Sequence, residues 1–304
     1  DVSTWKAYGI KLNPQSGASM ALEGSVYMIS SDGRHAASPA LEKMGMTQAG
    51  YGVIIPEQEI QPNQGAPSDD GIFITDTQTG EKELLVSLRE IVEKATPSLN
   101  LDEYACGDFY GFHVKWNPAG DRLLFVLRWK PHDNGKKKHN AITVAADGSD
   151  IHVAMSEDDW GKGGHHPNWC PDGESMMMNL RIDGILRFIK APYNGRNIEI
   201  LAPGLLGSGH PTLHPDEVHI LTDAYTYESM TLPDGSVPIR WIDTRDSSEE
   251  ILVRIPALPD CPGPKLELRV DPHPAWDRDY RRIVFNGVEN GKRRVYLADL
   301  SELF

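Results

Sequence analysis

Short, densely apolar runs bounded by turn residues recur along this chain. The runs at 121–128 (Asp-Arg-Leu-Leu-Phe-Val-Leu-Arg), 174–181, 218–225 and 281–286 are too short for an ordinary helix, and each reads as a buried strand. A further strand follows each of them, at 141–144, 186–189, 239–243 and 294–299. Asp-Gly and Asn-Gly pairs beginning at 32, 70, 134, 147, 172, 183, 194, 234 and 286 supply hairpin and turn chemistry. Upstream, 24–88 reads as a similar unit with a long excursion, whose polar, proline-marked part at 50–67 belongs outside the core. The spacing predicts one short helix, over 85–95.

Ahead of each strand pair stands a histidine segment in nearly constant register. The copies are His113-Val-Lys-Trp-Asn-Pro, His166-Pro-Asn-Trp-Cys-Pro, His210-Pro-Thr-Leu-His-Pro and His273-Pro-Ala-Trp-Asp-Arg. Their spacings of 53, 44 and 63 residues lie at or above the roughly 40–45 of a propeller blade with short loops. Five blade units are recognisable, and residues 1–6 resemble an outer strand without partners. The expected fold is therefore an all-β, single-domain β-propeller over 1–304. Its blades should be four-stranded and antiparallel, seven in number or else six.

Composition narrows the function. A formal net charge of −14 argues against a nucleic-acid surface, which needs a lysine and arginine excess. It leaves room for an anionic substrate in a local basic pocket. Cys106, Cys170 and Cys261 are too few and too scattered for a disulfide framework. No apolar run reaches about 18 residues, so no membrane span is expected. The first residues, Asp-Val-Ser-Thr-Trp, fit either a chain whose leader was removed or a trimmed one; the compartment stays open, with a periplasmic or secreted protein expected over a cytoplasmic one if a leader was removed.

Candidate chemistry follows from register. In an antiparallel hairpin the start of the first strand lies beside the end of the second, so His166 is expected near Asn179 and Arg181, His113 near Arg128, and His210 near Asp223 and Tyr225. Arg187 and Arg240 open third strands that return to the same face. One rim is thus expected to gather His113, His165, His166, His210, His273, Arg128, Arg181, Arg187, Tyr225 and Arg240. Asp271 precedes His273 by two residues and so shares its side of an extended strand. His210, Asp271 and His273 would suit Zn²⁺ or Mn²⁺. Trp116, Trp169, Trp276 and Met176–Met178 read as packing, and Lys136–Lys138 as a solvated hairpin tip. With no Gly-x-Ser-x-Gly elbow, a serine hydrolase is not indicated. The alternatives are a non-catalytic propeller that binds a glycan or protein, and a glycoside hydrolase using Asp223 and Asp271.

Gly164-His-His-Pro-Asn-Trp, Gly209-His-Pro-Thr-Leu-His-Pro, Thr222-Asp-Ala-Tyr, Val237-Pro-Ile-Arg-Trp-Ile-Asp and Asp271-Pro-His-Pro-Ala-Trp resemble the propeller polysaccharide lyases, the ulvan and oligogalacturonate lyases. The likeness covers roughly 100–304. It implies β-elimination on an acidic, uronate-containing polysaccharide or oligosaccharide. It places the catalytic histidine on His165 or His166, the tyrosine on Tyr225, and the carboxylate-neutralising arginine on Arg240. It places the axial metal ligands on His210 and His273, while the rim residues His113, Arg128, Arg181 and Arg187, read from register, would be left for substrate contacts. Where ulvan lyases carry a second histidine this chain reads Arg181-Ile-Asp-Gly-Ile-Leu-Arg, and Asp271 stands where oligogalacturonate lyases have a ligand histidine.

Overall fold

The computed structural model describes residues 1, 3–227, 229–258 and 268–303. Among these, five antiparallel sheets follow one another along the chain, so the chain is an all-β propeller of five blades. The expected seven or six is corrected to five: the strands sort into four four-stranded blades and one three-stranded blade, with only a two-stranded hairpin, Gly9–Leu12 and Ser19–Leu22, besides. Residues 1–6 form no strand among those described.

Residue contacts divide the chain into two units. The first holds the hairpin and two blades, the strand orders being Met28–Ile29, His35–Ser38, Gly71–Asp76, Lys82–Ser87, then Gly107–Trp116, Arg122–Pro131, Lys138–Ala145, His152–Met155. The second holds three more. Blade three runs Gly164–Trp169, Ser175–Ile182, Ile185–Pro192, Glu199–Leu201; blade four runs Thr212–Leu213, His219–Thr222, Ser236–Asp243, Ser248–Pro256; blade five runs Ala275–Trp276, Arg282–Glu289, Lys292–Asp299.

Each predicted second and third strand is present; in the second and third blades the second-strand runs are apolar enough to be buried on both faces, whereas in blade five Arg282–Glu289 alternates and Lys292–Asp299 is largely exposed. Leu123 through Leu127 are all buried, and Phe125 is fully so within the core of the first unit, with Val114, Trp116, Ile142 and Val144. Met176, Met177 and Met178 are fully buried, as expected of packing residues. In the second unit Phe188, Met177 and Ile220 form one cluster, and Val237, Ile239, Phe285 and Ile283 another. Asp183-Gly184, both with positive φ (50° and 79°), join Ser175–Ile182 to Ile185–Pro192 as a two-residue hairpin.

Two local expectations change. The predicted helix begins later, at Leu88, because residues up to Ser87 pair in the first blade. Ser87 then caps Leu88–Lys94: its Oγ accepts from the Glu90 amide, and Glu90 accepts in return. Asn286-Gly287 is not a turn but lies inside Arg282–Glu289, where a Cβ on Gly287 would come within 2.3 Å of Ile255; the turn is made four residues on by Asn290-Gly291. Cys170 is buried and Cys106 exposed, while Cys261 lies outside the described residues. No helix among the described residues is long and apolar enough to cross a membrane.

Phe125→Ala is expected to lower unfolding free energy by about 3–5 kcal/mol, whereas Val295→Ala, at a position 71% exposed, should change it by under about 0.5 kcal/mol. Urea denaturation of the two variants checks this pair.

Candidate functional site

The site in the second unit is assembled around a carboxylate. Asp223 lies just past the strand His219–Thr222 and is wholly buried. Its Oδ1 accepts the backbone N–H of His210 at 2.6 Å, its Oδ2 accepts the backbone N–H of His273 at 2.8 Å, and Nδ1 of His210 lies 3.0 Å from both oxygens. Burial alone would raise its pKa, but the His210 imidazole and these donors outweigh it and hold the carboxyl at about 2. One buried charge thus fixes two histidines from consecutive blades. With Nδ1 of His210 donating to Asp223, its Nε2 is the proton-free nitrogen in the neutral ring.

The imidazoles converge above it. His210 and His273 stack, with centroids 3.8 Å apart and planes 12° from parallel. His166 lies 4.0 Å from His210 and 6.2 Å from His273, centroid to centroid. Nε2 of His166 hydrogen-bonds the phenolic oxygen of Tyr225, which is itself buried. His165 completes the group, 5.1 Å from His166 and 5.2 Å from Tyr225.

Local backbone explains why neighbours in sequence do different things. His165 pairs with Asn179 across the Gly164–Trp169 ladder, but the register shifts before Asn168 and His166 adopts φ 58°. The bulge turns His166 out of the ladder and toward Tyr225. It is therefore His165, not His166, that lies opposite Asn179, whose side-chain amide donates to Nδ1 of His165 at 3.2 Å and to the Gly209 carbonyl at 2.9 Å. Burial, seconded by His210, pushes the His165 pKa down to about 4, so this ring is neutral through the physiological range.

The predicted arginines go elsewhere. Arg240 is 2% exposed and gives Nε and Nη2 to Glu249 at 2.8 and 2.6 Å and Nη1 to the Leu206 carbonyl at 3.0 Å. Arg181 donates to the Gly184 carbonyl and Arg187 to the Pro203 and Leu205 carbonyls. His113 and Arg128 belong to the first unit, in a group of their own. The cation that does reach the cluster is Arg269, which the sequence reading missed. Its guanidinium lies 5.4 Å over Tyr225 and 5.7 Å over the exposed Tyr227, while Nε and Nη2 hold Asp271 at 2.7 and 3.0 Å. Part of the signal was present, since 269 and 271 alternate onto one side if the segment is extended, whereas His273 adopts φ 46°.

The proposed metal ligands are only partly together. His210 and His273 stack, but both oxygens of Asp271 face Arg269, and among the described residues no three histidine, cysteine or acidic groups converge as a metal site. The donor set as arranged does not fit a three-ligand ion.

No protein-family model and no curated protein matches the chain. Solved structures do. The chain is similar to TolB from Acinetobacter baumannii, at 13% identity over 97% of this chain and 57% of that one, with a TM-score of 0.55. It is similar to a puromycin-hydrolyzing peptidase from Mycobacterium tuberculosis, at 12% identity over 96% and 40% of the two chains, TM-score 0.55. An oligogalacturonate lyase from Vibrio parahaemolyticus matches at 14% identity over 95% and 82%, with a TM-score of 0.47. The chain spans little more than half the length of the TolB structure. At these identities the likeness shows a propeller fold, shared by proteins of unlike activity, and the lyase match adds nothing on function.

Two stability predictions follow from the buried charge and the buried ring. Asp223→Ala leaves His210 and two amides without their acceptor and is expected to remove about 3–5 kcal/mol of stability, read as a fall in the urea midpoint. Acid should also weaken the fold in two windows. His165 resists protonation when folded, so stability declines as pH falls from about 6.5 to about 4; Asp223, held at about 2, gives stability that is fully present above about 4 and is lost as pH falls through 2. A Tm profile from about pH 1.5 to 7 checks this, and His165→Gln should make the upper window shallower, with His139 supplying the remainder.

Proposed function

We propose that this chain is a polysaccharide lyase that cleaves a uronic-acid-containing polysaccharide or oligosaccharide by β-elimination. The observation that carries the reading is the hydrogen bond between Nε2 of His166 and the Tyr225 hydroxyl, set in a cluster of imidazoles beside a cation.

Elimination at a uronate needs three things: relief of the carboxylate charge, a base for the C5 proton, and an acid for the departing glycosidic oxygen. A tyrosine bonded to a neutral imidazole supplies the last two together. As the Tyr225 oxygen takes the C5 proton, its own proton passes to Nε2 of His166. The C5–H electron pair forms the double bond and the C4–O bond breaks. The leaving oxygen then takes the proton now on Tyr225, and His166 returns its proton to the phenolate. The net change moves one proton from C5 to the leaving oxygen and restores both side chains. Positioned proton transfer of this kind contributes about 10²–10⁴-fold. Arg269, held by Asp271 with its guanidinium over the Tyr225 ring, is in this reading the cation that meets the substrate carboxylate. No step needs a metal ion, a covalent nucleophile or Cys170, whose thiol burial pushes up to about 12.

Glycoside hydrolysis is the weaker reading, because Asp223 is fully buried and saturated with donors and Asp271 is paired with Arg269. A non-catalytic propeller that binds a glycan or protein is favoured by one observation, the commitment of Arg240 to Glu249.

The test is absorbance of the unsaturated uronyl product during incubation with ulvan, polygalacturonate, glucuronan and glycosaminoglycans. Product is expected on one of these substrates. Tyr225→Phe and His166→Ala should each lower kcat at least 100-fold, while Arg187→Ala leaves it within threefold. Full cleavage by His166→Ala sinks the mechanism, and binding without product on all four favours the non-catalytic propeller.

A further inference from the structure

The first unit contains a second concentration of charge, built on different terms. Arg128, on the strand Arg122–Pro131, is 9% exposed, and its guanidinium lies over the Phe112 ring, 3.2 Å from the centroid. Nη2 donates to Oε1 of Gln48 at 2.8 Å, Nη1 reaches only Oγ1 of Thr47 at 3.4 Å, and the buried Nε has no hydrogen-bond partner. Lys137 joins it: Nζ donates to the Thr47 carbonyl oxygen. Both cations therefore rest on neutral oxygens of a single dipeptide, Thr47-Gln48. Lys137 was expected to be a solvated hairpin tip and instead reaches back to this group. His139, opposite Arg128 in the ladder, feels the result: burial first, then Arg128, Lys137 and Lys136, push its pKa down to about 4.

Removing a cation from water costs several kcal/mol unless an anion compensates. The other deeply buried arginine, Arg240, has its anion in Glu249. In a chain with 44 acidic residues, none among those described pairs with Arg128. A cation–π contact offsets only part of that cost, and a hydrogen bond to a neutral amide returns less than one to a carboxylate. The fork is held in place but its charge is unmatched. Around it stand rings: Tyr51, 37% exposed, lies 5.0 Å from Phe112, which lies 4.2 Å from His113.

We propose that Arg128 and Lys137, walled by Phe112 and Tyr51, form a second binding site that takes the carboxylate of a ring-shaped ligand, an acidic monosaccharide being the simplest. Gln48 Oε1 stands where one carboxylate oxygen would meet Nη2, and Lys137 supplies the second charge. The planar fork suits two coplanar oxygens better than a tetrahedral oxyanion, and the exposed ring selects a ligand with an apolar face over a bare anion. The site requires no elimination chemistry and is independent of the lyase reading.

The test uses the full chain carrying Tyr225→Phe, so that no turnover consumes the probe. D-galacturonate, D-galactose, acetate and inorganic sulfate are titrated in turn, following the His139 imidazole by NMR and heat by calorimetry. Galacturonate should move the His139 signal saturably, acetate and sulfate should bind at least tenfold more weakly, and galactose should leave the signal still. Arg128→Gln should abolish the response and Lys137→Gln weaken it three- to tenfold; if the former fails to fold, the latter decides. No His139 response in the parent, or a response unchanged by either variant, overturns the proposal, and sulfate binding as tightly as galacturonate overturns its carboxylate preference. Because the readout is binding at His139, a negative result here leaves the absorbance assay untouched, and the converse holds.

Discussion

Everything in the candidate site hangs on the Asp223 carboxylate. It is buried, yet it is satisfied from two directions: the His210 amide and ring on one side and the His273 amide on the other. A buried charge is tolerated only when its hydrogen-bonding capacity is nearly filled, and here the groups that fill it are the backbones of the very segments that present the imidazoles. The geometry of the cluster is thus set by main-chain hydrogen bonds to one point. His166 and Tyr225 then inherit their positions, His166 by packing against His210 and Tyr225 by following Asp223 two residues later.

Much of this was legible in the chain. Period and turn chemistry predicted the strands, and the repeated histidine predicted the register that brings His210 to Asp223, whereas His166 was expected beside Asn179 and instead meets Tyr225. What was hidden falls into two physical kinds. A bulge leaves no signature in composition, so the exchange of roles between His165 and His166 could be seen only in the backbone. Long side chains were the other difficulty. Arg240 opens a third strand as expected, but its reach lets it find Glu249 on the neighbouring strand Ser248–Pro256, while Arg269 comes to Tyr225 from outside the repeat. Blade number failed where the five recognisable units ended: residues 1–6 read as an outer strand of a further blade, but they form no strand, and the segment after them supplies only a two-stranded hairpin.

The two units treat buried arginine in opposite ways. Arg240 is neutralised within its own blade and stiffens it, and Arg128 is shelved on an aromatic ring with only neutral acceptors. The same residue type, buried in both places, is a tie in one setting and an unfilled receptor in the other. Exposure alone does not separate the two, and the charge of the partner does.

His166 and His273 share one further property. Both hold left-handed backbone, at φ 58° and 46°, a conformation that costs a branched-free L residue about 1–2 kcal/mol relative to glycine. Replacement by glycine would relax the main chain at both places and would leave them chemically blank. The protein therefore carries these two imidazoles against the local preference of the backbone that presents them.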